Sequence, residues 1–231
     1  MNKILWDIDG TLLNFDFAET RALKECFKIY KLGEVSNNMI GQYKAINKKQ
    51  WESLEKGLIS RKEVMFGRFE KFFELYGIDK KLAGDFNRTY QEELGKTYVF
   101  NDYGLETVKK LKNKYEQYAV TNGSFIAQKG KLEGSGLIDL LDDVFISEII
   151  GYEKPDPKFF SYIFEKLGSS NKDEYVIIGD SLTSDMLGGK KSGIRTIWFN
   201  PFKLLNNMDF KVDYEITCLK DVEKILLEIF E

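Results

Sequence analysis

The sequence predicts an α/β fold, a Rossmann-like parallel sheet core interrupted by an inserted all-helical cap domain. Three observations carry the prediction: apolar, β-branched runs alternate with helical stretches; the first run ends in two carboxylates, Asp7 and Asp9; and the residues after that pair show helical periodicity alone as far as Tyr98.

Strands are predicted at 3–7, 117–121, 144–147, 175–179, 196–199 and 212–217. Alternation with helices implies βαβ crossovers and a mostly parallel sheet. Leu105, Val108 and Leu111 share one helical face. Asp156-Pro157 reads as an N-cap followed by a proline at the first helical position, with Phe160, Ile163, Phe164 and Leu167 after it and Gly168 as the stop. Leu219, Val222, Ile225, Leu226 and Ile229 give a closing amphipathic helix.

The stretch 15–98 is long enough for two further βα units but contains no strand pattern. Ser60-Arg61-Lys62-Glu63 is a capping box that opens a helix with Met65, Phe69, Phe72, Phe73 and Tyr76 on one face, ended by Gly77. Trp51 and Leu54 mark a helix before it, ended by Gly57. The expected division is therefore a core of 1–14 plus 99–231 and a helical cap of 15–98. An insert that begins just after Asp7 and Asp9 is placed to lie over the carboxyl ends of the strands, the rim where open α/β sheets bind ligands, as a lid.

Composition narrows the chemistry. A net charge of −3 with basic residues scattered among acidic ones is no nucleic-acid footprint. No apolar run reaches the length of a signal segment or a membrane span, so a cytoplasmic chain without a nucleic-acid or membrane partner is expected, as a monomer or homodimer. Cys26 and Cys218 lack metal-type spacing and are expected to pack in the core. The chain has no histidine, which removes Ser-His-Asp catalysis, His-bound zinc and imidazole acid/base work. Carboxylates, lysine, hydroxyls and a hard metal remain.

Those residue types collect at four predicted element ends: Asp7 and Asp9; Thr121-Asn122-Gly123-Ser124; Lys154-Pro155; and Gly179-Asp180-Ser181 with Asp185. Each alone has a plain structural reading, such as a turn at Asp9-Gly10 or a helix cap at Asp180 and Ser181. Together, on one rim, they fit phosphoryl transfer. Asp7, Asp9 and Asp180 offer oxygens to Mg²⁺, and Asp185 would orient its waters. Asp7 can attack phosphorus to give an aspartyl phosphate, and Asp9 can serve as general acid and then general base. Thr121, the backbone around Asn122 and Gly123, and the Lys154 charge can hold the phosphoryl oxygens.

The motifs Asp7-x-Asp9-Gly10-Thr11, Thr121-Asn122-Gly123, Lys154-Pro155 and Gly179-Asp180 with Asp185 resemble those of the haloacid dehalogenase-like hydrolase superfamily, along essentially the whole chain. The resemblance implies Mg²⁺ bound by Asp7, the Asp9 backbone carbonyl and Asp180, under a helical cap inserted between the first two motifs. Asn47-Lys48-x-x-Trp51, Gly57-Leu58-Ile59-Ser60-Arg61, Arg68-Phe69 and Ile146-Ser147-Glu148 are similar to bacterial 5′-nucleotidases acting on pyrimidine and non-canonical nucleoside monophosphates. That likeness points to the cap for substrate choice, with Trp51, Arg61, Phe66 and Arg68 as candidates. A sugar-phosphate phosphatase or phosphomutase is the alternative within the superfamily. A phospho-aspartate switch is the alternative of another class; it has no use for Asp9 or for a lid.

Overall fold

A computed structural model describes residues 1–230. In chain order its elements are β1 (Lys3–Trp6), α1 (Phe15–Ile29), α2 (Asn37–Glu55), α3 (Arg61–Tyr76), α4 (Ala83–Gly95), α5 (Gly104–Leu111), β2 (Glu116–Thr121), α6 (Phe125–Ser135), β3 (Asp143–Ile146), α7 (Ser147–Ile150), α8 (Pro157–Lys166), β4 (Tyr175–Gly179), α9 (Leu187–Ser192), β5 (Arg195–Phe199), β6 (Tyr214–Ile216) and α10 (Val222–Phe230). All six predicted strands form, in one parallel sheet of order β3-β2-β1-β4-β5-β6.

The sheet is buried on both faces, as parallel sheets are. Ile4, Trp6, Val176 and Ile178 face a cluster with Val108, Leu111, Val222 and Leu226 of α5 and α10. Leu5, Tyr175 and Ile177 face the opposite cluster with Phe159, Phe160 and Ile163 of α8. Strand period therefore sorts each run between two helical layers.

The chain runs outward from β1 through β2 to β3, then crosses back to β4 on the other side of β1. That reversal is a topological switch point, where loops part and leave a crevice at the carboxyl edge. Asp7 is pinned there because its N–H donates to the Ile178 carbonyl at 2.9 Å, extending the β1–β4 ladder one residue.

Helices α1 to α4 pack around a separate apolar cluster in which Phe69 and Phe86 (centroids 5.0 Å apart), Tyr43 and Tyr90 interlock, mostly edge to face. The capping box at Ser60 and the left-handed Gly77 (φ +66°) bound α3 as the sequence predicts. Three details differ. Cys218 is only half-buried, whereas Cys26 is in the core. β6 is shorter than predicted, since Asp213 turns its carboxylate onto the Thr196 N–H and hydroxyl, both at 2.9 Å, ahead of the pairing. Ser147 opens α7 instead of closing β3. Among the described residues, no helix is long and apolar enough to cross a membrane.

Candidate active site

Asp7 leaves the edge of β1 with both oxygens engaged. Oδ1 lies 2.7 Å from Lys154 Nζ, and Oδ2 accepts from Thr11 Oγ1 at 3.1 Å. The same ammonium donates to Asp185 Oδ1 at 2.6 Å and to the Val120 carbonyl at 2.7 Å, so its three protons have three acceptors. Burial opposes the Lys154 charge, but Asp185 and Asp7 outweigh it and hold the ammonium above its ordinary range. Burial pushes Asp7 up to about 7 while Lys154 pulls it down and Asp185 pushes it further up. Lys154 precedes a cis peptide to Pro155. Its backbone is clasped by the Asn122 amide, which donates to the Lys154 carbonyl at 2.8 Å and accepts its N–H at 2.9 Å.

Asp9 lines the same cavity as Asp7 but is held by other partners. Its carboxylate accepts from Gln128 Nε2 at 2.6 Å and pairs with Lys131 Nζ at 2.5 Å, both from α6. β1 ends at Trp6 and the chain turns at Gly10 (φ +96°), so the alternation that would align two strand residues no longer applies. Gln128 and Lys131 are fully buried and were not foreseen. Their three-residue spacing on α6, just after Thr121-Asn122-Gly123, was the available signal.

Carboxylate oxygens of Asp7, Asp180 and Asp185 lie within 4.8 Å of one another. Desolvation, then repulsion from Asp7 and Asp185, push Asp180 well above the carboxylate range. Because the Asp180 side chain still opens to solvent, the like charges weigh more than burial in that rise. Three carboxylates so close, with one ammonium among them, are a hard, all-oxygen donor set that fits Mg²⁺. Gly10 permits the approach, since a Cβ there would sit 2.5 Å from Asp180 Oδ2. Compared with the sequence expectation, Asp185 joins the set and the Asp9 carboxylate stands outside it.

Beside these groups is a cavity of about 190 Å³ with Asp7, Thr121, Lys154 and Asp180 on its core wall and Trp51, Arg68 and Gln91 on the wall from the insert. Thr121 Oγ1 accepts from the Gly123 N–H at 3.0 Å, so the hydroxyl proton is left for another acceptor. Of the four insert candidates, Trp51 and Arg68 line the cavity. Arg68 is buried, held by Asn47 at 3.0 Å and Asn87 at 2.8 Å. Arg61 lies outside the cavity lining and grips the carbonyls of Asn122 and Gly123. Phe66 is half-exposed and covers Gly84, away from the site, because α3 turns it off the face that carries Met65 and Phe69. Glu55, also unforeseen, accepts from Thr183 Oγ1 at 2.6 Å, and burial pushes it up to about 7.

The profile of the haloacid dehalogenase-like hydrolases matches residues 1–193. YfnB of Bacillus subtilis, named as a HAD-hydrolase, is 34% identical over 96% of this chain and 94% of its own. Its crystal structure, bound to magnesium, superposes with a TM-score of 0.91 at 33% identity, covering 97% of this chain and 98% of that one. The pyrimidine 5′-nucleotidase PynA of Streptococcus pneumoniae is 34% identical over 95% of this chain and 92% of its own. A glyceraldehyde 3-phosphate phosphatase of Pyrococcus furiosus is 33% identical over 52% of each chain.

Proposed function

The chain belongs to the haloacid dehalogenase-like hydrolases, and within that family we propose that it is a 5′-nucleotidase for pyrimidine or non-canonical nucleoside monophosphates. The observation that carries this reading is the extent of likeness to PynA, which runs through the helical insert as well as the sheet. The likeness to the glyceraldehyde 3-phosphate phosphatase stops at about half of either chain. In the proposed division, residues 1–14 and 99–231 perform the chemistry and residues 15–98, which supply Trp51 and Arg68 to the cavity wall, select the ester.

Asp7 is the nucleophile in this scheme. One of its oxygens bonds to phosphorus as the bond from phosphorus to the nucleoside 5′-oxygen breaks, and the proton on Asp9 passes to that oxygen. Water then attacks phosphorus, Asp9 takes its proton, and the bond to Asp7 breaks to release inorganic phosphate. Gln128 and Lys131 aim the Asp9 carboxylate in both half-reactions. The free Thr121 hydroxyl proton and the Lys154 charge face the phosphoryl oxygens, where charge gathers in the transition state. Asp7, Asp180 and Asp185, together with the Asp9 carbonyl that the family likeness implies, would hold Mg²⁺, which would supply positive charge to the phosphoryl group and its carboxylate surroundings.

The test is turnover on a panel of nucleoside monophosphates, sugar phosphates and phospho-amino acids, with Asp7→Asn as control. Preference for pyrimidine nucleotides, abolished in Asp7→Asn, is expected. Preference for a sugar phosphate, or release of an isomerised sugar phosphate, would refute the nucleotidase reading.

A further inference from the structure

Arg61 belongs to the insert, yet its hydrogen bonds all reach across the cleft. It is the first residue of α3, directly after the Ser60 cap, which sets its starting direction. Nη2 donates to the carbonyls of Asn122 at 2.9 Å and Gly123 at 2.7 Å; Nη1 donates to Ser147 Oγ at 3.1 Å and Glu153 Oε1 at 3.4 Å. The four Nη hydrogens therefore have four acceptors, and Nε is buried with no hydrogen-bond partner, 3.8 Å from Glu148 Oε1. No Nη hydrogen remains to meet a substrate, and the buried Nε is closed to one. The same group lies 5.7 Å from the ring of Trp51, which lines the cavity.

We propose that Arg61 is a positioning residue: by holding the Asn122 and Gly123 carbonyls it fixes the phosphate loop, so that the cradle is complete only when the insert is seated. The inference rests on the reading of Thr121 and its loop as the phosphate-binding element. A trans peptide is planar, with C=O and N–H on opposite edges. Drawing the Asn122 carbonyl toward Arg61 therefore sends the Gly123 N–H the other way, onto Thr121 Oγ1 at 3.0 Å. With that lone pair occupied from one side, the Thr121 proton is directed to the cleft. Gly123 is the residue whose backbone would otherwise be free to turn. Asn122 carries the constraint further, because its side chain clasps the backbone of Lys154. One side chain thus orders both the neutral donor and the positive charge presented to a phosphoryl group.

The experiment compares the Mg²⁺-loaded full chain with Arg61→Ala and Arg61→Lys. Three quantities are read: competitive inhibition by inorganic phosphate, and kcat/KM on uridine 5′-monophosphate and on p-nitrophenyl phosphate, which has no base. Arg61→Ala should weaken phosphate inhibition roughly 10- to 100-fold and lower kcat/KM on both esters by a similar factor. Arg61→Lys should recover little, since one ammonium cannot span two carbonyls and two side chains as a planar fork does. Millimolar guanidinium should restore part of the phosphate affinity of Arg61→Ala. A loss confined to the nucleotide, with phosphate inhibition intact, would make Arg61 a base contact and overturn the proposal. Loss on every substrate without guanidinium rescue would reduce it to a packing residue and overturn it equally. A wild-type enzyme that turns over p-nitrophenyl phosphate but no nucleotide would remove the nucleotidase reading alone and leave this test readable.

Discussion

Lys154 Nζ lies 2.7 Å from Asp7 Oδ1 with both residues buried, and a second carboxylate, Asp185, shares the same ammonium at 2.6 Å. One ammonium, itself almost wholly buried, thus sits between two carboxylates. Buried charges are tolerated only when paired, and removing one partner strands the other.

Lys154→Met is therefore expected to destabilise the protein by about 3–5 kcal/mol and to abolish turnover. Lys154→Arg should not restore activity, because a fork-shaped cation cannot occupy the place of a point charge ringed by three acceptors. Thermal unfolding and single-substrate kinetics check both statements. A Lys154→Met protein with wild-type Tm and measurable kcat would show that the pair is dispensable.

Lys131 and Gln128 hold Asp9 and touch no other catalytic candidate by hydrogen bond or ion pair. Lys131→Met should lower kcat by roughly 10²-fold, the scale of a misplaced general acid/base, with the fold retained. If hydrolysis of the phosphoenzyme suffers more than its formation, labelled aspartyl phosphate will accumulate in quenched-flow samples. A kcat within twofold of wild type would free Asp9 from any need of α6.

The strands, the helical insert and the four motif clusters were legible because their signals are local: hydrophobic runs, caps, and polar residues at run ends. The partners of Asp9 were not, since Gln128 and Lys131 lie 119 and 122 residues away and meet it only through the packing of α6. Arg68 likewise sits within the apolar face of α3, where periodicity marks the position but not its amide partners on α2 and α4. Arg61 was visible as a candidate, but its role depends on the backbone it reaches across the cleft.

Glu19, buried on α1, accepts from Asn47 Nδ2 at 2.6 Å. Burial pushes its carboxyl up to about 7, against the Asn47 hydrogen bond and the charges of Lys44 and Arg68, which pull it down. The folded protein thus holds a proton that the unfolded chain releases near its ordinary value of 4.5. Between those values the native state binds more protons, so stability falls as pH rises through the window 4.5 to 7. The full effect of this group is at most about 3 kcal/mol. Glu19→Gln keeps the acceptor for Asn47 and removes the titration. It should flatten the decline of Tm between acid and neutral pH, leaving the part due to Glu55 and Asp7, likewise pushed to about 7, and to Asp180. An unchanged slope would exclude Glu19 as its source.

Asp180 separates stability from function. Its carboxylate opens to solvent, faces Asp7 and Asp185, and has no ammonium of its own within ion-pair distance among the described residues. Without a cation the repulsion opposes folding; with one, the same oxygens become ligands. Chelation by EDTA should therefore lower Tm and stop turnover, and added Mg²⁺ should restore both, since a ligand at a hundred times its Kd stabilises by about 2.7 kcal/mol. Asp180→Asn has the opposite sign in the two conditions. In EDTA it should be more stable than wild type, because one of three crowded charges is gone. In Mg²⁺ it should gain little Tm and remain inactive. Calorimetry of both proteins with and without Mg²⁺ gives the comparison directly. An Asp180→Asn protein that is less stable than wild type in EDTA, or that keeps the Mg²⁺-dependent rise in Tm, would mean that Asp180 is neither a source of strain nor a metal ligand.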